Sequence, residues 1–511
     1  MKNRLAWSLV ILIAAAHLVL HLAFYNVLEF HRDELLYFSL GMHPAAGYAS
    51  VPPLIGWLSW ALIHLFSNWL FAAKLASALA GGLLIFLMAV TTKELKGGNF
   101  AMVLAPLGFF LTPICLRGFF LYMPLPFELL GWTVFLYFLL RYINTDKTKY
   151  LIAAGITAGV ILLLKYLLLI FVFALLIGLL LTKHRKILKE KVLYIAILLA
   201  ALVFLPNLIW QVSKGFPVLI HMRELTRSQL VHVDRFLFLT DILLMVGTSV
   251  ILLLAGLFFL GFHRQFREYR VFAWSSLIFI GILLFLRGKS YYVIGVVPFL
   301  ICAGCVAWEK MTKNSIIRGL LIAVLIIPPF FMIPVGIPVF KPARLANYFA
   351  YLENTMGFPV GLRDEKGIIH ALPQDYSDMI GWEELASITA RAYAAVPDKQ
   401  ACLIYCENYG QAGAITVYGR KYGLPDPVCF SESFLYWIPR DFPGEIRYLI
   451  YINDELGTDV NKLFADIRNA GYITNPLARE YGTTVWLLGK PRQSFNSFWK
   501  VRIAHVNNPF R

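Results

Sequence analysis

The stretch 53-PLIGWLSWALIHLFSNWLF-71 decides how this chain is arranged. It is apolar and long enough to cross a bilayer. Counting it as a span reverses the orientation of everything after it. Eleven other apolar stretches read as spans: 5–25, 74–92, 100–115, 127–142, 151–165, 167–182, 192–210, 238–261, 271–286, 291–308 and 316–335. Charge decides the matter, because Lys and Arg accumulate in cytoplasmic loops. With 53–71 left unspanning and the N-terminus (Lys2, Arg4) inside, the inner loops are 93–99, 141–150, 183–191, 262–270 and 309–318. Together with the N-terminus they hold 18 Lys+Arg against 5 Asp+Glu. If 53–71 spanned, 16 of those 18 would face outside. The stretch is therefore expected to lie on the outer surface as an interfacial helix, a place that suits Trp57, Trp60, His64, Asn68 and Trp69. The first apolar segment lacks a clear cleavage site and reads as a retained anchor.

The composition agrees. The chain has 511 residues, 59% of them hydrophobic and only 15% charged, yet its net charge is +16. Soluble domains run nearer 45–50% apolar and ~25% charged. Lipid must solvate most of this chain, which excludes a cytosolic enzyme, a disordered chain and a disulfide scaffold. Residues 341–511 carry 18 Lys+Arg and 18 Asp+Glu, so the whole excess sits in 1–340. It is mostly a topology signal, and no nucleic-acid partner is expected. The six cysteines read as small buried hydrophobes.

The fold class expected is mostly α: a polytopic helical bundle of about 11 spans over 1–340, then an extracytoplasmic α/β domain over 341–511. In that domain "WEELASITARAYAAV", "GQAGAITVYGRKYG" and "TDVNKLFADIRNAG" read as helices, and "ACLIY", "RYLIYI" and "TTVWLL" as strands. No glycine-rich phosphate loop is present.

Ionisable groups beside spans are functional candidates. On the outer side the first loop gives Glu29, His31, Arg32, Asp33, Glu34, Tyr37 and His43, and the second gives Arg117 and Glu128. Lys165 and Tyr166 sit at a span end. The loop 211–236 gives Lys214, His221, Arg223, Glu224, Arg227, His232 and Arg235, and a last loop gives Arg287, Lys289, Tyr291 and Tyr292. Carboxylates among cations suit transfer of a group from a phosphate. Cations stabilise the departing charge, and a carboxylate takes the proton of the incoming hydroxyl or amine. Sugar transfer from a lipid phosphate fits. The plain alternatives are solvated loop charges for Asp33 and Glu34, a helix-start acid for Glu128, a snorkelling Lys165 and headgroup contacts for the 211–236 cations. His17 and His21, one turn apart, read as packing; Gly155 and Gly159 suit close helix approach.

The residues also carry a family resemblance. "HRDELLYFSLG" (31–41) followed by "GYASVPPLIGWL" (47–58) resembles glycosyltransferase family 39, which includes protein O-mannosyltransferases and the aminoarabinose transferase acting on lipid A. Further matches follow in order: "TKELKGG", "PFELLGWTVFLYFLLRYI", "LLLKYLLLIF", "FLPNLIWQVSKGFPVLIHM", "RGKSYYVIGVVPFLICAG", "LPQDYSDMIGWEEL" and "ENYGQAGAITVYGRKYGLP". The resemblance implies a GT-C fold, an outer-facing site and a first outer loop (27–72) with juxtamembrane helices. It also implies a polyprenyl-phosphate sugar donor, inversion at the anomeric carbon and a place in the cytoplasmic membrane. By position Asp33 resembles the essential loop acid, Glu34 its neighbour, and Glu128 the second acid. Lys165, Arg287, Lys289 and Tyr292 resemble donor contacts; Tyr166, Arg117, Arg223 and Arg227 join them as candidate substrate-binding residues.

The chain departs from the pattern at Val51, where many members carry a charge before the Pro-Pro pair. If that charge holds donor phosphate, Lys165 or Arg223 has to replace it. Lys74 stands where Arg is usual, and the mannosyltransferases' β-trefoil insert is absent. No ligand set requires a metal, and a divalent cation near the acid is left open. The acceptor is open too: lipid A, glycan, glycolipid or protein. The rival readings are a flippase for lipid-linked sugar, or a non-catalytic envelope assembly protein.

Overall fold

In the computed structural model, which describes residues 2–228, 234–357, 361–362 and 369–506, the stretch 53–71 is not one helix. The helix α3 (Leu54–Leu65) ends after 12 residues. The chain then turns, and the Asn68 side chain accepts the Phe71 N–H at 3.0 Å to start α4 (Trp69–Glu94). Twelve residues make a helix of about 18 Å, well short of the ~30 Å hydrocarbon core. α3 packs instead on α2 (Arg32–Met42).

The other apolar stretches are all helical. α1 (Lys2–Ala23) and α4 come first. α5 (Asn99–Phe110) and α6 (Pro113–Phe120) meet at a 62° bend, where Pro113 stops α5 and Thr112 caps α6. Then come α7 (Pro124–Thr145), α8 (Thr148–Leu162), α9 (Leu168–Leu180), α10 (Lys191–Ser213), α11 (Pro217–Ser228), α12 (Arg235–Val246), α13 (Val250–Phe262), α14 (Arg270–Phe285), α15 (Val297–Met311) and α16 (Ser315–Phe331). Among the described residues seven helical segments are long and apolar enough to cross a membrane, or nine if each of two bent pairs counts as one. The shorter apolar helices α8 and α16 fall on the remaining two of the eleven segments. The chain is a multi-pass membrane protein. α8 and α10 touch at Gly155 and Gly159, where a Cβ would collide with the Ala196 and Ala200 backbone.

The basic loops meet at one end of the bundle. Arg141 pairs with Glu94 at 2.8 Å, Asn144 links Glu94 to Tyr269, and Lys183 pairs with Glu268. Glu309 accepts the Phe100 and Ala101 N–H groups at the start of α5. Lys93 lies over the Trp7 ring of α1, which brings the N-terminus to the same end.

At the opposite end sits a sheet region. After α17 (Ile333–Gly336), α18 (Pro342–Asn354) and α19 (Gln374–Ser377) come α20 (Trp382–Ala394), β1 (Cys402–Cys406), α21 (Tyr409–Tyr418), β2 (Val428–Cys429), β3 (Tyr448–Asn453), α22 (Thr458–Leu463), β4 (Phe464–Tyr472), β5 (Thr484–Pro491) and α23 (Phe495–Val506). The sheet order is β2-β1-β3-β5-β4; β2, β1 and β3 run parallel, and β5 and β4 close it antiparallel. α20 and α21 cover one face and α23 the other. One expected helix is corrected: "TDVNKLFADIRNAG" is helical only to Leu463, and 464–472 pairs with β5. The helical spacing of Val460, Leu463, Phe464 and Ile467 yields to the free edge of β5, as tertiary pairing overrides local preference. All six cysteines are buried and unpaired.

The loop between α1 and α4 shares its core with this region. Leu35, Phe38 and Tyr48 pack in one cluster with Trp382, Leu385, Ala412 and Ile415. α21 lies directly on α2, so close that a Cβ at Gly413 would meet Leu35.

Candidate active site

The loop that opens "HRDE" folds as the N-terminus of α2. His31 is the N-cap: its Nδ1 accepts the Asp33 N–H at 3.1 Å, and Glu34 reaches back to the His31 N–H at 2.8 Å. This capping box separates the two neighbouring acids, because successive helix residues point about 100° apart. Asp33 faces a cavity of about 2810 Å³. Glu34 points the other way and is fully buried, with Lys74 Nζ at 2.6 and 2.8 Å from its two oxygens and the Tyr122 N–H at 2.6 Å. Glu34 does not line the cavity; it ties α2 to α4 and to the turn before α7.

The cavity has a polar end and long apolar walls. Around Asp33 stand His31, Arg32, Tyr37, Arg117, Asp375, Asp378, Tyr409, Glu432 and Arg479. The Tyr409 hydroxyl donates to Asp33 Oδ1 at 2.9 Å, and the Arg32 guanidinium lies 4.3 Å over the Tyr409 ring. Arg479 contacts Asp378 at 3.2 Å. Burial pushes the Asp378 carboxyl above its ordinary range, against the pull of His31, Arg479 and Arg32. Arg117 stacks 3.9 Å over Tyr376, lies 3.5 Å from Asp375 and donates to the Val335 carbonyl.

A second cationic station lies at the span ends. Lys165 Nζ sits 5.0 Å over each of the Tyr291 and Tyr292 rings. Lys289, Tyr292 and Tyr166 also line the cavity. The Tyr166 hydroxyl donates to Asn207 at 2.7 Å and accepts from Gln211 at 2.9 Å. Glu128 is buried behind this wall, 3.6 Å from Lys165 Nζ, and does not itself line the cavity. From there the walls are Leu, Ile, Phe and Pro, among them Leu164, Ile170, Phe204, Leu208 and Leu286.

Asp33, Arg117, Lys165, Tyr166, Lys289 and Tyr292 are thus brought together around one space. Arg223, Arg227 and Arg287 are exposed and do not line it. α11, which carries Arg223 and Arg227, turns its other face to the cavity through Val218, His221, Met222 and Leu225. His232 lies outside the described residues. Of the two cations considered as replacements for a charge at Val51, Lys165 reaches the cavity and Arg223 does not. Among the described residues no group of three or more His, Cys, Asp or Glu is placed to hold a metal. The His17 and His21 rings lie with centroids 4.0 Å apart, tilted by 36°, and His21 hydrogen-bonds main-chain carbonyls.

The residues that sequence reading missed come from beyond residue 340: Asp375, Asp378, Tyr409, Glu432 and Arg479. The signal was present in "LPQDYSDM" and "ENYGQ", but a neutral region of ordinary composition gives a single charge no prominence.

Residues 50–210 match the family model described as dolichyl-phosphate-mannose-protein mannosyltransferase. No curated protein matches the chain in sequence. Among solved structures, ArnT from Cupriavidus metallidurans bound to undecaprenyl phosphate is similar with a TM-score of 0.62 at 16% identity, over 94% of this chain and 97% of that one. ArnT from the same organism in the apo state gives 0.58 at 14% identity, over 94% and 98%. The chain thus has an ArnT-like GT-C fold, the fold that the sequence resemblance implies.

Proposed function

We propose that the protein moves one sugar from a polyprenyl-phosphate donor to an acceptor at the outer face of the cytoplasmic membrane. The observation that carries this reading is the amphiphilic cavity: one apolar pocket with a carboxylate and cations at its polar end. A lipid tail fits the Leu, Ile and Phe walls, and its headgroup falls among Asp33, Lys165 and Lys289. The similar ArnT structure bound to undecaprenyl phosphate supports the donor class. The basic loops would face the cytoplasm, and the sheet region the outside.

In this reading Asp33 accepts the proton of the acceptor hydroxyl as its oxygen attacks the anomeric carbon. The bond from that carbon to the phosphate oxygen breaks, and the electron pair leaves with the phosphate. Lys165 and Lys289 stabilise the charge that develops there, and attack from the face opposite the phosphate inverts the carbon. Glu128 acts behind Lys165, holding its ammonium in place. Glu34 serves the scaffold and not the chemistry. A photo-crosslinking polyprenyl phosphate tests the placement. It is expected to label peptides 164–170 and 283–292, with competition by undecaprenyl phosphate; labelling confined to the lipid-facing surface of α10 would contradict it.

A further inference from the structure

Asp33 is approached from two sides of the chain. Its own helix and cap supply His31, Arg32 and Tyr37; α21 supplies Tyr409; the turn 432–437 supplies Glu432; and the 375–378 turn supplies Asp375 and Asp378. The Tyr409 hydroxyl donates to the Asp33 carboxylate at 2.9 Å.

Tyr409 is itself held firmly. It is the first residue of α21, whose N-cap Asn408 accepts the Gly410 and Gln411 N–H groups. Asn408 and Gln411 both donate to Glu480. Arg32 covers the ring. Burial, and after it the Asp33 charge, pushes the Tyr409 hydroxyl above its ordinary range, so it stays a neutral donor.

We propose that Tyr409 is a positioning residue for the transfer reaction: its hydroxyl fixes Asp33 through Oδ1 and leaves Oδ2 turned to the acceptor, so that the region after residue 340 completes the site. This rests on reading Asp33 as the base.

The same two elements offer a control. The Phe30 N–H donates to the Tyr418 hydroxyl at 3.2 Å, so Tyr418 also docks α21 on the first loop but does not touch Asp33. The experiment compares Tyr409→Phe, Tyr418→Phe and Asp33→Asn in full-length protein in nanodiscs. The readout is sugar transfer from a polyprenyl-phosphate-sugar extract, with kcat separated from donor KM. In Tyr409→Phe kcat is expected to fall about tenfold with donor KM held within about twofold, and Tyr418→Phe is expected to overlay the wild type. A kcat of Tyr409→Phe equal to that of the wild type, or equal losses in both phenylalanine variants, overturns the inference. Full transfer by Asp33→Asn overturns instead the reading of Asp33 on which it rests.

Discussion

Asp33 and Glu34 are neighbours with opposite fates. Glu34 and Lys74 are almost wholly buried and satisfy each other together with two main-chain N–H groups. Removing one member of such a pair strands a buried charge, at a cost of about 3–5 kcal/mol. Lys74→Met is therefore expected to lower the unfolding midpoint in detergent sharply or prevent folding, while Asp33→Asn leaves it within a degree or two; differential scanning fluorimetry checks both. The sequence marked the acid pair but not which acid faces the cavity. That depends on the capping box, which sets the rotation of α2. Among the cations, Lys165→Gln is expected to raise donor KM more than tenfold, whereas Arg223→Ala and Arg287→Ala, which alter exposed groups outside the cavity, stay within twofold. Steady-state kinetics with the donor extract separate them.

At the scale of elements, short pieces carry the architecture. α3 was legible as a helix apart from the spans, because counting it as one would put Lys2 and Arg4 at the opposite end from the other basic loops. β4 was not legible, because pairing with β5 leaves no trace in its own sequence. A carboxylate joins loop to sheet region: Glu29 accepts the Trp382 and Glu383 N–H groups at 2.7 and 3.0 Å at the N-terminus of α20. Glu29→Ala is expected to loosen this joint by about 1–2 kcal/mol and to speed amide exchange in 382–394, read by mass spectrometry. Burial holds the Glu29 carboxyl above its ordinary range, against its three N–H donors. The folded protein thus binds a proton there more readily than the unfolded chain, and this contribution to stability grows as pH falls from neutrality through that raised value. Glu29→Gln should flatten that limb of the stability–pH curve.

At the scale of the molecule, the split at residue 340 is sharp in charge but not in packing. The basic loops gather at one end, as the count of Lys and Arg required. The loop between α1 and α4 and the sheet region share a core and a cavity wall at the other end, which no local pattern announces, because the joined residues lie some 350 positions apart. Single cysteines put into a chain cleared of its six buried ones test the orientation. Lys186→Cys is expected to resist an impermeant maleimide on intact cells, and Asp398→Cys to react; the reverse pattern would invert the topology. The central claim is that this cavity performs transfer at Asp33, and the most direct measurement is release of free polyprenyl phosphate by the reconstituted protein, wild type against Asp33→Asn. The account predicts release coupled to sugar transfer in the wild type, and loss of more than a hundredfold in a variant that folds normally. Near-equal release by the two proteins would contradict it.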